Sequence, residues 1–429
     1  MRIAVIGSGI SGLTAAYRLH RAHDVTVFEA ADYVGGHTNT VDVELDGERH
    51  AIDTGFIVFN DRTYPHFSAL LGELGVRSRP TSMSFAVRSD AADLEYNGTS
   101  LFGLFAQRRN LVRPAFYRLL RDVLRFNREA PCTIDEIGRE PTVGEYLAAH
   151  RYSREFADHY LLPMGAAIWS CPPGTFAKFP IRFIVEFYKH HGLLDLRDRP
   201  TWRVVEGGSR TYVEALTVGF RRRIRLNTPI ARIVRGDEAV EVLPFSGPAE
   251  SFDHVVLACH ADQALALLAD ASDSEREILS AFPYSRNTAV LHTDERLLPR
   301  RRRAWAAWNY LLWNDSAIAG TDECAGATVT YNMNILQHLR SRRTFNVTLN
   351  CDDRIDPAKV LRRFVYHHPV FNTGRAAAQA KHAEISGVRR TSYCGAYWGN
   401  GFHEDGVASA LRVCRSLERR PAFAAAGGA

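Results

Sequence analysis

At 429 residues the chain exceeds one ordinary domain, and an apolar content of 46% supplies a large buried core, which excludes an intrinsically disordered protein. A net charge of +5 gives no global case for nucleic acid as a partner. Its seven cysteines (Cys132, Cys171, Cys259, Cys324, Cys351, Cys394, Cys414) are scattered, odd in number and lack a CxxC pair, which argues against a disulfide framework, a zinc site or an iron–sulfur cluster and for a reducing compartment.

Ile3-Ala4-Val5-Ile6 reads as a buried parallel strand. Gly7-Ser8-Gly9-Ile10-Ser11-Gly12 follows, then a helix over 13–19 and a second strand, Val25-Thr26-Val27-Phe28, ending at Glu29 and Ala30. The three glycines differ in what they allow. Gly7 permits the tight turn, Gly9 lets a pyrophosphate approach the backbone, and Gly12 lets helix and strand pack closely. The helix start at Ile10 and Ser11 offers free N–H groups and a positive dipole end to phosphate. Glu29 lies 22 residues after Gly7, where an acid grips ribose hydroxyls. Strand, glycines, helix, strand and acid in register make a dinucleotide-binding unit.

Val34-Gly35-Gly36-His37-Thr38 comes next. A strand pair over 41–45 and 48–52, turning at Asp46-Gly47, runs into Ile52-Asp53-Thr54-Gly55-Phe56. Helices are expected over 64–74, 111–128, 142–150 and 153–162. Val204-Val205-Glu206-Gly207-Gly208-Ser209 leads into a helix over 210–220, and strand segments follow at 224–226 and 228–233, the second containing Ile230. The run 253–260 is a buried strand, and 288–292, 327–332 and 344–350 are further strands. Tyr393-Cys394-Gly395 ends a strand, and Gly399 to Gly406 leads into a helix over 407–417. There is one GxGxxG, so no second nucleotide domain for NAD(P)H is expected. The adjacent pairs His190-His191 and His367-His368 lack an i, i+4 partner, so no metal site is expected.

Together these segments resemble the FAD-binding amine-oxidase-like flavoproteins, a superfamily of monoamine and polyamine oxidases, protoporphyrinogen oxidase, carotenoid desaturases and a flavin-dependent fatty-acid isomerase. The resemblance covers nearly the whole chain. It implies a Rossmann-like α/β FAD-binding domain of the amine-oxidase type, made of 1–62, 200–274 and 389–420. A discontinuous α+β substrate domain of 63–199 and 275–388 is implied beside it, with 421–429 as a disordered tail. The implied FAD contacts are Gly7, Gly9, Ile10, Ser11, Gly12, Glu29, Ala30, Gly35, Gly36, His37, Thr38, Gly55, Phe56, Ile230 (toward the adenine), Gly395, Asp405, Gly406 and Val407. His37 stands where the family usually has arginine, and Cys394 does not match its flavin-linking cysteine, so the FAD is expected to be non-covalent.

The resemblance further implies hydride transfer from substrate to flavin N5. Amine oxidases add a flavin-linked lysine and an aromatic amine cage. Neither is matched here: lysine occurs only at Lys178, Lys189, Lys359 and Lys381, and His403 and Glu404 stand where a cage tyrosine would. Phe402-His403-Glu404-Asp405, with Ala167-Ile168-Trp169-Ser170, His191-Gly192-Leu193-Leu194, Trp202-Arg203, Trp308-Asn309-Tyr310 and His368-Pro369-Val370, is similar to a narrower bacterial branch of oxidoreductases found beside cyclopropane-fatty-acid synthase-like methyltransferases. That likeness implies a fatty-acyl or other hydrophobic substrate, acted on by a dehydrogenase or desaturase, and a methyltransferase partner. Amine oxidation with peroxide release and redox-neutral double-bond isomerisation are the alternatives.

His403 and Glu404 are the catalytic candidates: either can take a proton as hydride leaves, or orient an acyl head group. The structural alternative is that they cap the helix starting near Asp405 or Gly406. Trp169 and Trp308 line either a substrate cavity or the core. Between Leu101 and Ala130, apolar residues alternate with seven arginines, as in a basic amphipathic helix on an anionic membrane surface or in a domain helix with a solvated basic face. No apolar run reaches the ~18–20 residues of a membrane span, and strand structure from the second or third residue leaves no signal peptide, so a cytoplasmic, membrane-peripheral protein is expected.

Overall fold

The structure, a computed structural model, describes residues 1–135, 141–195, 199–313, 327–372 and 374–419. The tail 421–429 lies outside the described residues.

A five-stranded sheet runs in the order Ile224–Arg225, Asp24–Phe28, Arg2–Ile6, His254–Leu257, Thr391–Tyr393. Every neighbouring pair is parallel. Strand alternation divides the side chains between two cores. Ile3, Val5, Val25 and Val27 face the helices Ile10–Leu19 and His403–Glu418, while Ala4, Ile6, Phe28, Val255 and Leu257 face the opposite layer. The first and last helices pack directly: Leu13 and Ala16 share a core with Val407, Ala410, Val413 and Leu417, and the Cys414 thiol meets the Ala15 carbonyl at 3.9 Å. A buried ion pair fixes the outer layer. Arg235 donates to Glu275 and Asp270, each at 2.9 Å, and Tyr393 donates to Glu275 at 2.6 Å.

The strand expected over 253–260 stops at Leu257, so Ala258, Cys259 and His260 form the loop at its carboxyl end. The last helix begins at His403 rather than 407, because the Asp405 carboxylate accepts the Phe402 N–H at 2.8 Å and closes the helix start one turn earlier.

The second sheet has seven strands, in the order Val360–Pro369, Tyr284–His292, Asn346–Leu349, Ala327–Asn332, Trp308–Leu312, Phe85–Ser89, Leu94–Asn97. Only the pair Trp308–Leu312 and Phe85–Ser89 runs parallel. Beside it, the helices Pro114–Asp135, Val143–Ala149, Leu162–Trp169 and Ile181–His190 enclose an aromatic core that includes Phe126, Tyr146, Phe156, Trp169, Phe176 and Phe187.

The helix expected over 111–128 is broken: a 3-10 turn, Arg108–Val112, precedes a helix that starts at Pro114, where a missing N–H costs nothing. The helix expected over 153–162 continues to Trp169 through a π-turn, Ala157–Leu161. Pro163 has no N–H to return to the His159 carbonyl, and the Tyr96 hydroxyl donates to that carbonyl instead at 2.6 Å. No helix among the described residues is long and apolar enough to cross a membrane.

Candidate functional site

The candidate site is a crevice at the carboxyl ends of the parallel strands, where the helix starts at Ile10 and His403 meet. Its walls are backbone. At Gly7 (φ +103°) an added Cβ would sit 3.0 Å from the Ala258 carbonyl oxygen, and at Gly12 it would sit 2.0 Å from the Gly7 oxygen. At Gly406 it would strike Ile10 at 2.7 Å and Ser11 at 2.9 Å, which is how closely the last helix approaches the first. At Gly9 the same atom would meet nothing within 4 Å. Gly9 therefore leaves an opening beside the N–H groups of a helix start, the shape a diphosphate needs.

The other loops close on this opening. Gly35 donates to the Ser8 carbonyl at 3.0 Å, and a Cβ on Gly36 would lie 3.2 Å from the Gly9 Cα. Gly55 packs on the His37 carbonyl, which accepts the Phe56 N–H at 2.8 Å. Glu29 stands at the end of the second strand, accepting from the Ser8 N–H at 2.8 Å, the Ser8 hydroxyl at 2.6 Å and the Ala31 N–H at 2.9 Å. Ala30 is exposed beside it. Thr228 donates to the Glu29 carbonyl at 2.8 Å, bringing the strand Ile230–Arg235 and the buried Ile230 to the same end of the crevice. Gly395 donates to the Ser409 hydroxyl at 3.0 Å, placing the end of the strand Thr391–Tyr393 against the last helix, where Val407 is buried. Cys394 is fully buried, and burial raises its thiol well above the usual range, with Cys414 and Cys259 adding to the shift.

His37 has its Nε2 buried without a partner. Its ring stacks on Tyr366 at 5.0 Å, with His368 at 5.3 Å and His260 at 6.1 Å. Burial, then the charges of His260 and His367, lower its pKa to about 3, so this ring is neutral in the absence of an anion. An orphaned imidazole nitrogen beside Gly36, an open face at Gly9 and two converging helix starts fit FAD. Among the described residues no three His, Cys, Asp or Glu side chains gather into a group able to hold a metal.

The two catalytic candidates part company here. His403 lies under the crevice wall, stacked on Phe56 at 3.6 Å and 9°. Its Nε2 meets the Tyr212 hydroxyl at 2.7 Å and the Thr38 hydroxyl at 3.2 Å. Burial, then the charge of His37, holds His403 well below its ordinary pKa. Glu404 turns elsewhere. Its carboxylate accepts from the N–H of His66 at 3.0 Å, the ring of His66 at 2.5 Å and the N–H of Phe67 at 2.9 Å, and so caps the helix Pro65–Glu73. Glu404 thus caps a neighbouring helix, where the sequence led to a cap on its own. Asp405 caps that helix, and its burial raises its pKa to about 6 against the pull of the Phe402 and Asn400 N–H groups.

Two residues join the site that motif reading passed over. Asp53 is fully buried, accepting from Thr40 at 2.6 Å, from the Ser209 N–H at 2.9 Å and hydroxyl at 2.7 Å, and from Gln337 at 3.0 Å. It ties the hairpin of Thr40–Leu45 and Glu48–Asp53 to the Gly207-Gly208 turn. Tyr212, one turn into the helix Arg210–Thr217, links Thr38 to His403. A polar residue directly before Thr54-Gly55 was the available signal for Asp53. Tyr212 offered none, since its partners lie 174 and 191 positions away.

A family profile described as flavin containing amine oxidoreductase matches residues 10–313. The chain belongs to this family. The family's description names a flavin, and FAD is the cofactor that membership implies for this crevice. Coproporphyrinogen III oxidase of Mycobacterium leprae (strain TN) is 28% identical over 292 residues, which are 62% of this chain and 60% of that protein. The chain thus spans less than two thirds of the length of the curated relatives it matches. A structure of putrescine oxidase bound to putrescine is 15% identical, with a TM-score of 0.66 over 98% of this chain and 100% of that one. The CLA-producing fatty acid isomerase from P. acnes is 17% identical, with a TM-score of 0.66 over 97% and 98%. At these identities the likeness establishes the fold, an α/β architecture with a Rossmann-like FAD-binding domain.

Proposed function

We propose that this oxidoreductase is a dehydrogenase or desaturase that takes a hydride from a hydrophobic substrate of the fatty-acyl or lipid class. The observation that supports this reading is the aromatic wall directly before the crevice helix. Phe402 stacks on Phe187 at 5.0 Å and meets His191 at 5.8 Å and Trp169 at 6.4 Å. Phe402 packs against both the crevice core and the helical core, so the approach between them is apolar.

None of the four lysines serves the crevice. Lys178 and Lys189 are exposed on the helical unit, Lys359 faces Asp294 at 3.6 Å, and Lys381 pairs with Glu277 at 2.6 Å. The flavin-linked lysine expected of an amine oxidase has no counterpart among them.

Bound FAD supplies the two-electron acceptor at N5. The rest is the work of this chain. Gly9, Gly36 and the helix starts would hold the FAD diphosphate, Glu29 its ribose, and Ile230 its adenine. His403 acts as a positioning residue: through Tyr212 it sets Thr38 and the loop that carries His37. Phe402, Phe187 and Trp169 exclude water from the reacting carbon. A cyclopropane-synthase-like methyltransferase is the proposed partner, and co-purification from cell extract tests it.

The decisive experiment mixes the flavin-loaded protein anaerobically with a panel of acyl lipids. The oxidised-flavin absorbance should bleach with at least one of them. A flat spectrum across the panel, with bleaching by amines and peroxide release in air, would replace this reading with amine oxidation.

A further inference from the structure

We propose that the face built from residues 101–128 docks on the surface of an anionic lipid bilayer. The first observation is apolar exposure. Eleven large hydrophobic side chains are exposed among the described residues, and six of them fall between positions 101 and 124: Leu101 (73%), Phe102 (86%), Leu111 (51%), Val112 (80%), Tyr117 and Leu124. Scattered singly, such residues need no explanation; gathered on one face, they do.

The three segments that carry them form one surface. The Asn110 side chain donates to the Leu104 carbonyl at 3.3 Å, joining Leu101–Leu104 to the turn Arg108–Val112. The Tyr117 hydroxyl donates to the Leu111 carbonyl at 2.9 Å, joining that turn to the helix Pro114–Asp135.

The second observation is charge. The outward stripe of the long helix reads Pro114, Tyr117, Arg118, Arg121, Leu124, Arg128, at helical spacing, and its arginines hold their carboxylate partners from the edges of the stripe: Arg118 pairs with Glu155, Arg121 with Asp122 at 3.6 Å and Arg128 with Glu129 at 2.8 Å. The inward stripe holds Phe116, Leu119, Phe126 and Ala130. Asp122 is turned inward as well, accepting the Ser153 N–H at 2.9 Å. Arg108 and Arg109 lie exposed between Phe102 and Val112, and Arg108 has no carboxylate within ion-pair distance among the described residues. Apolar wedges flanked by arginine match the acyl boundary and the phosphate layer of an anionic membrane. A second copy of the same face would bring arginine against arginine, so charge disfavours self-association there.

The test is co-sedimentation of the flavin-loaded full chain with vesicles. The protein should bind phosphatidylcholine vesicles containing phosphatidylglycerol, bind pure phosphatidylcholine about tenfold less, and release as salt is raised. Phe102→Asp with Val112→Asp, and separately Arg108→Glu with Arg121→Glu and Arg128→Glu, should each lower binding about tenfold or more at unchanged flavin spectrum and melting temperature. These side chains are exposed, so their loss leaves the core intact. Val218→Asp, an exposed apolar site outside the segment, should bind as the parent does. No binding to the mixed vesicles, or binding by both variant sets equal to that of the parent, overturns the proposal. So does sedimentation equilibrium showing that the Phe102 and Val112 changes dissolve a dimer and leave vesicle binding untouched.

Discussion

The crevice and the helical unit facing it are built from opposite materials. At the crevice, backbone meets backbone, and position is set by what is missing from a side chain. Gly12 lies against Gly7, Gly36 against Gly9, and Gly55 against His37. In the helical unit, position is set by bulk: Phe176 fills the space over Gly165, where an added Cβ would lie 2.0 Å from its ring. The first kind of contact tolerates no growth, because a carbonyl cannot step aside. The second can be reshaped by exchanging one ring for another.

The largest effect follows from that contrast. Gly12→Val puts its Cβ onto the Gly7 carbonyl and should cost more than about 4 kcal/mol, yielding little folded protein. Gly9→Ala meets no protein atom, so it should fold with an unchanged apo-protein melting temperature and lose FAD affinity by roughly tenfold or more. Flavin-fluorescence titration beside thermal unfolding separates the two. Equal losses of stability at both positions would break the distinction between a packing glycine and a cradle glycine.

Asp53→Ala comes next. It strips the buried acceptor from Thr40, Ser209 and Gln337 at once, and buried donors left bare cost about 1–3 kcal/mol each. With four donors stripped, an overall loss of about 4 kcal/mol or more is expected from urea unfolding. Gly165→Ala is the companion change in the helical unit. Its Cβ lands on the edge of the Phe176 ring rather than on a carbonyl, and the loss should be smaller.

Acid should weaken the crevice in a defined direction. Burial lowers His37 and His368 to about 3 and His260 to about 4, and it holds His403 well below its ordinary value. Their unfolded forms take protons near pH 6.5, so each removes about 1.4 kcal/mol per unit as pH falls below that value. Asp53 and Asp405 act oppositely. Burial raises both to about 6, so they add stability as pH falls from 6 toward 3.8. The histidines outnumber the aspartates, and the urea midpoint of the apo-protein should drop between pH 6.5 and 4. A midpoint that holds or rises on acidification would show that these rings are already charged in the folded state.

The same contrast explains what could be read from residue order alone. The Gly7 to Glu29 unit was legible because each part is local: a turn glycine, a helix start and a strand end stand at fixed offsets. Gly35-Gly36 and Gly207-Gly208 were legible as pairs for that reason. The Thr38–Tyr212–His403 chain was not, since its members come from three distant segments and their meeting depends on the packing of Phe56 and Phe67 around His403. The helix break at Pro114 was written in the residue itself and outweighed by the hydrophobic periodicity around it. The helix start at His403 depended on Asp405 folding back to Phe402, which periodicity does not register.

Glu404 gives the smallest effect and the finest cut between structure and chemistry. Its carboxylate satisfies two N–H groups at the start of Pro65–Glu73 and bonds the His66 ring, and that helix carries Phe67 against His403. Glu404→Ala should therefore cost about 1 kcal/mol, the ordinary worth of a helix cap, and Glu404→Gln about half of that, because an amide oxygen still accepts one N–H. Neither change should move the pH dependence of flavin reduction, since the carboxylate is engaged by the N–H groups of His66 and Phe67. His403→Gln should instead loosen Thr38 and shift FAD affinity at nearly constant global stability. A flavin-reduction rate that collapses in Glu404→Gln while the helix stays capped would return Glu404 to the chemistry and make the crevice wall reach one helix further than its backbone does.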